Sequence, residues 1–306
     1  MRIVSLLPSA TEIVCALGMG EALVGVSHEC DYPAAVRGRP VLTEPQLDAR
    51  GHSRHIDAAV RRLVGDGLSV YRINTDLLRK LQPDVIVTQE HCAVCAVSYD
   101  DVVAATRAWL QQPVTIVSLK PVRLADIFAD IQKVADALDR SAAGVELTAQ
   151  LRGRLDALRT RAARVHSRPR VACIEWLDPL MAAGNWVPEL VELVGGTSDL
   201  VAAGEPSRDL SWQELAAAAP DVIILMPCGF TLPQTERELP ALTAQPQWAQ
   251  LPAVRNRRVY AVDGNAYLNR PGPRIAESAE LLAGPIQPGL FAPKIPPGSY
   301  LRVEAH

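Results

Sequence analysis

The feature that most limits the fold is a set of short, unbroken apolar runs separated by helical patterns. Four lie early, at Ile3 to Leu7, Leu23 to Ser27, Val85 to Thr88 and Val114 to Leu119; two more are Arg170 to Ile174 and Val222 to Met226. Unbroken rather than alternating apolar character means that both strand faces are covered, as in a parallel sheet clothed by helices. Between the runs, Ser9 or Thr11 is predicted to cap a helix through Leu17 that Gly18 and Gly20 close. Asn74 opens a helix carrying Leu77, Leu78 and Leu81, and Tyr99 to Leu110 reads as another.

From 121 to 166 the pattern is helix alone. Leu147, Leu151, Leu155, Leu158, Ala162 and Val165 form one apolar stripe on a long amphipathic helix, with Ile127 to Leu138 as its flank or a preceding helix. Arg152, Arg154, Arg159, Arg161 and Arg164 lie on the other faces and read as solvated. Alternation resumes after Pro169, with helices at Trp186 to Val194 and Trp212 to Ala219. Leu81 to Val87 and Ala218 to Ile224 echo one another as a helix, Pro-Asp turn and strand, which fits two lobes of related construction. The expected division is an α/β lobe at 1–120, a helical linker at 121–168 and a second α/β lobe at 169–306, where Pro285 to Pro297 forms an extended tail.

Composition narrows the function classes. The 31 basic and 34 acidic residues nearly balance, which offers no polyanion partner and argues against nucleic acid. No run of about 20 apolar residues exists to insert into a membrane. Six unevenly spaced Cys suit reduced thiols better than a disulfide framework. Met1-Arg2 passes straight into the first strand, so a cytoplasmic location is the expectation.

The chemistry-bearing residues gather after the strands, where α/β sheets bind ligands. His28, Glu29, Cys30 and Asp31 follow one; Glu90, His91, Cys92 and Cys95 another; Cys173, Glu175 and Trp176 a third; Cys228 a fourth. Cys92-x-x-Cys95 admits three readings: a zinc or other transition-metal site completed by Cys30, His28 or His91, a redox dithiol, or a packing or ligand-lining role. No Gly-x-Ser-x-Gly, Gly-x-Gly-x-x-Gly or Walker loop occurs. Aromatic residues are scarce, at 5%, so the placing of Tyr32, Trp176, Trp186, Phe230 and Tyr267 near strand ends suggests rings that cover a flat ligand. Asn269 and Arg270 either contact an anionic or amide-bearing ligand or cap their own turn. His52 and His55 read as part of a solvated loop, with a lid as the functional competitor.

The stretches Ser5 to Glu12, Gly25 to Pro33, Leu81 to Ser98, Glu175 to Pro179, Gly184 to Glu189, Pro227 to Phe230 and Asn269 to Arg274 resemble the vitamin B12- and iron-chelate-binding branch of the periplasmic-binding-protein-like family. The resemblance implies a class III substrate-binding fold of the helical-backbone metal-receptor type: two Rossmann-like α/β lobes with parallel sheets, joined by a long backbone helix. It further implies cobalamin or a related corrinoid or metal chelate held between the lobes, in a binding protein rather than an enzyme. Ser9, His28, Glu29, Tyr32, Glu90, His91, Glu175, Trp176, Trp186, Phe230, Tyr267, Asn269 and Arg270 then line the ligand. His28 or His91, or thiolates of Cys92 or Cys95, are the options for reaching its metal. Exported members dock onto an ABC transporter through acidic residues, and Glu12 matches one such position. The concentration of Cys30, Cys92, Cys95, Cys173 and Cys228 departs from those relatives and leaves a thiol- or metal-dependent enzyme as the alternative. A monomer or weak dimer is expected.

Overall fold

In a computed structural model of the chain, the described residues are 1–48, 51–66, 69–89, 102–103, 114–291 and 298–303. They separate into two units. The first comprises Met1–Gly51, His55–Pro121 and Ala125–Gln150; the second comprises His52–Arg54, Val122–Leu124 and Leu151–His306.

In the first unit the strands are β1 (Ile3–Ser5), β2 (Leu23–Val26), β3 (Thr43–Pro45), β4 (Tyr71–Ile73), β5 (Val85–Gln89) and β6 (Thr115–Leu119). Four make one sheet in the order β2-β1-β5-β6, parallel throughout, and β3 and β4 form a separate antiparallel pair. Val4, Leu6 and Ile86 project to one face with Leu42 and Leu78, which is the unbroken-run pattern seen in space. The first helix is Pro8–Ala16, closed by Gly18 at φ +76°. Ser9 and Thr11 are not its caps: Leu7 is the N-cap without a side-chain bond, and Pro8 supplies a first position that needs no N–H. Asn74 does cap the helix Thr75–Leu81, accepting from Leu77 N–H at 2.9 Å. The expected helix at Tyr99 to Leu110 lies outside the described residues apart from Val102 and Val103, which are helical.

The chain leaves the first unit through the helices Leu124–Ala137 and Ser141–Ala162, so the Ile127 to Leu138 flank belongs to a preceding helix. Leu151, Leu155, Leu158 and Ala162 are buried as the stripe requires, whereas Val165 lies past the helix end. The second unit holds β7 (Val171–Leu177), β8 (Leu180–Ala182), β9 (Arg208–Asp209), β10 (Val222–Leu225), β11 (Val259–Val262) and β12 (Tyr300–Arg302). Its sheet runs β12-β11-β10-β7-β8-β9; β7, β10 and β11 are parallel and the flanking strands antiparallel. The helix Ile275–Ile286 runs through Pro285, so the segment expected as an extended tail is helical at its start; 292–297 lie outside the described residues, and β12 pairs with β11. This is the expected α/β class: two units built on parallel strands and connected by a long helix.

Candidate functional site

In the first unit the C-terminal ends of β1 and β2 carry a continuous polar cluster. Thr11 Oγ1 donates to Ser5 Oγ (2.8 Å) and lies 3.0 Å from Cys30 Sγ. Thr43 Oγ1 donates to Ser27 Oγ (3.1 Å) and receives the His28 N–H (3.1 Å); His28 Nδ1 lies 2.7 Å from the same oxygen. Tyr71 stands beside the imidazole, ring centres 5.2 Å apart, and its hydroxyl donates to Glu29 Oε1 at 3.1 Å. Partial burial pushes the His28 imidazole below the usual histidine value, favouring its neutral form. At the end of β5, Gln89 is 8% exposed and its Nε2 meets no acceptor among the described residues. An unmet buried donor costs on the order of 1–3 kcal/mol.

In the second unit, Trp176 near the end of β7 meets the Phe230 ring edge-on, centres 5.1 Å apart. Phe230 is buried and buttresses the half-buried Trp176. Glu175 Oε2 accepts from Ser207 Oγ (2.7 Å), which in turn accepts the Gly184 N–H. Burial raises the Glu175 carboxyl pKa, overriding the Ser207 bond. The Trp176 indole N–H donates to Ser53 O (3.3 Å), and Ser53 is fully buried. Glu238 fixes that segment by accepting from Ser53 Oγ (2.6 Å), Ser53 N–H (3.1 Å) and His52 Nδ1 (2.7 Å). His52 keeps a 72% exposed side chain outside any helix or strand, as the solvated-loop reading has it, whereas His55 lies in the helix Ser53–Gly65.

Several sequence-predicted residues take other roles. Trp186 is 6% exposed and its indole N–H donates to Leu268 O (2.8 Å), so it anchors a turn instead of offering an open ring face. Asn269 gives its amide to Met226 O (2.9 Å) and Gly264 O (3.1 Å), and the buried Arg270 bonds Asn265 Oδ1, so both serve their own bend. Tyr267 lies under the Arg274 guanidinium, which is 5.4 Å from its ring centre. Tyr32 is exposed and Ser9 buried. Glu12, expected as an exposed docking acid, is 3% exposed. Glu90, His91, Cys92 and Cys95 lie outside the described residues.

Of the residues in the metal expectation, Cys30, Cys173 and Cys228 are described, and Cys92 and Cys95 are not. Among the described residues no three His, Cys, Asp or Glu side chains are grouped to hold an ion. Cys173 is buried in β7, where desolvation pushes its thiol up to about 12, far from the thiolate a metal requires. Cys30 is bonded to Thr11, and Cys228 is half-buried beyond β10. Nor does any helix among the described residues have the length and apolarity to cross a membrane. Sequence reading missed Thr43, Tyr71, Ser207, Ser53 and Glu238, whose roles arise only from partners distant in the chain.

Comparison with known proteins gives these geometries a family. A family model described as periplasmic binding protein matches residues 3–266. A vitamin B12-binding protein of Vibrio cholerae serotype O1 is 28% identical over 281 residues, covering 91% of this chain and 86% of the relative. The apo periplasmic heme-binding protein of Roseiflexus sp. RS-1 superposes with a TM-score of 0.70 at 26% identity, covering 94% of this chain and 98% of that one. The periplasmic vitamin B12-binding protein of Vibrio cholerae, at 24% identity and a TM-score of 0.67 over 94% and 96% of the two chains, has the same fold. These matches are to periplasmic proteins, which overturns the expectation of a cytoplasmic one.

Proposed function

The chain belongs to the periplasmic binding protein family, and from that premise we propose that it captures cobalamin, a related corrinoid or another planar metal chelate without chemically transforming it. The observation that carries this reading is the braced Trp176–Phe230 pair at the end of parallel β7. A half-buried indole held by a ring behind it and by Ser53 O in its plane is a preorganised apolar surface for a flat ligand. Beside it in the second unit, Glu175 is suited to meet amide or hydroxyl groups on a ligand's edge; in the first unit, Gln89 offers an amide donor without an acceptor among the described residues. His28, Glu29 and Tyr32 supply further polar and aromatic groups beyond β2. The match to a vitamin B12-binding relative over most of the chain supports a corrinoid in particular. Delivery to an ABC transporter is the associated role we propose.

The test is retention of aquacobalamin after gel filtration, followed by titration calorimetry. The wild-type protein retains the coloured corrinoid in a ratio near one to one. Trp176→Ala weakens binding roughly 10- to 100-fold, the range for loss of a central aromatic anchor. A wild-type protein that elutes colourless, with no heat of binding, overturns the corrinoid assignment.

A further inference from the structure

Resting on the chelate-binding reading, we propose that His28 Nε2 is an axial ligand to the metal of the bound chelate, and that Thr43 is the positioning residue that presents it. The inference comes from hydrogen-bond capacity. A threonine hydroxyl has one proton to give and two lone pairs to receive with. Thr43 gives its proton to Ser27 Oγ and already accepts the His28 N–H. With Thr43 donating to Ser27, its remaining lone pair faces His28 Nδ1 at 2.7 Å, and we assign the ring proton to Nδ1. Nε2 is then the bare nitrogen, on an exposed side chain at the ligand-facing end of the first sheet.

A neutral imidazole with a protonated Nδ1 bonded to an oxygen is the arrangement that orients a histidine to ligate through Nε2. Thr43 is 6% exposed on β3, a rigid mount, and Tyr71 flanks the ring face, so both the edge and the plane of the imidazole are fixed before a metal arrives. The cargo implied is a chelate with an exchangeable axial position, as opposed to one whose metal is already fully enclosed by its own donors.

Two probes read this directly: diaquacobinamide, which carries only water axially, and ferric hemin. With wild-type protein, the bound probe's absorption bands move to those of an imidazole-ligated metal, and affinity exceeds that of His28→Ala about 10- to 100-fold. Thr43→Val, which removes the acceptor for Nδ1–H, lowers the affinity about 10-fold with a weakened band shift, and Thr43→Ser restores both. Circular dichroism confirms that each variant is folded. Retained probe with identical bands in wild-type and His28→Ala protein overturns axial ligation while leaving chelate binding intact. Failure of wild-type protein to retain either probe overturns the binding reading and this proposal with it.

Discussion

Asp130 carries a charge that its surroundings disfavour. It lies in the helix Leu124–Ala137, 8% exposed, and accepts the Lys120 N–H at 3.1 Å. Burial pushes its carboxyl up to about 6, with the Lys120 bond and the Lys133 charge pulling the other way. A carboxyl that binds its proton more tightly when folded contributes stability below the unfolded value near 4, and that contribution is lost as pH rises through 6. Asp130→Asn keeps an acceptor for Lys120 and removes the charge. We expect it to stabilise the protein by roughly 2 kcal/mol at pH 8, fading toward zero at pH 4, in urea unfolding series. Equal stability of the two proteins at pH 8 would show that Asp130 is better solvated than its position indicates. Single residues of this kind are poorly legible in sequence. Thr43 lies 15 positions from His28, and Glu238 lies 185 from Ser53, so nothing local marks either as a partner. The places of His28 and Glu29 just past β2, and of Glu175 and Trp176 near the end of β7, were legible because polar residues directly after an apolar run mark the end of a strand.

Elements were far easier to read, for a physical reason seen best in the internal echo. Gln82 and Ala219 both adopt φ 43°, ending their helices in the left-handed region before a proline. Asp84 then receives the Arg2 N–H on its carboxylate (2.6 Å) and gives its own N–H to Arg2 O (2.8 Å). Asp221 repeats both bonds with Arg170, at 2.9 and 2.8 Å. The Pro-Asp pair therefore fixes a helix–strand junction with local chemistry, and local chemistry is what a sequence displays. Short β8, β9 and β12 were missed because two or three residues contain no usable period; the extended segments depend on their neighbours. The bend beyond β11 illustrates that dependence. A methyl on Gly264 would stand 2.2 Å from Pro227 O and 2.9 Å from Met226 O, the carbonyl that also receives Asn269. Gly264→Ala should cost about 1–3 kcal/mol by overpacking and displace the turn bearing Cys228 and Phe230. The checks are thermal unfolding and aquacobalamin affinity, with both falling; a variant unchanged in both would mean that this turn moves aside freely.

On the scale of the whole molecule, the balance between titrating groups of opposite sign sets the stability profile. Burial works to raise the Glu238 carboxyl pKa, but the Ser53 and His52 hydrogen bonds outweigh it and hold the group below the usual carboxylate range. Its contribution is therefore present above the unfolded value near 4.5 and lost as pH falls through the folded one. Asp221, held down chiefly by its Arg170 bond, acts in the same direction. Asp130 acts in the opposite direction, and so does Glu175, raised by burial. Taken together, these four groups should place the stability maximum near the unfolded carboxylate values, about pH 4 to 4.5, with a decline on both sides. Glu238→Gln should flatten the acid limb and Asp130→Asn the neutral limb. Asp130 belongs to the first unit and Glu238 to the second, with no shared hydrogen-bond partner, so the double variant should show both changes added to within about 0.5 kcal/mol. Urea unfolding of the four proteins from pH 2 to 8 measures this. A neutral limb that persists in Asp130→Asn would transfer the effect to Glu175, whereas an acid limb unchanged in Glu238→Gln would mean that the bonds to Ser53 and His52 do not hold its charge.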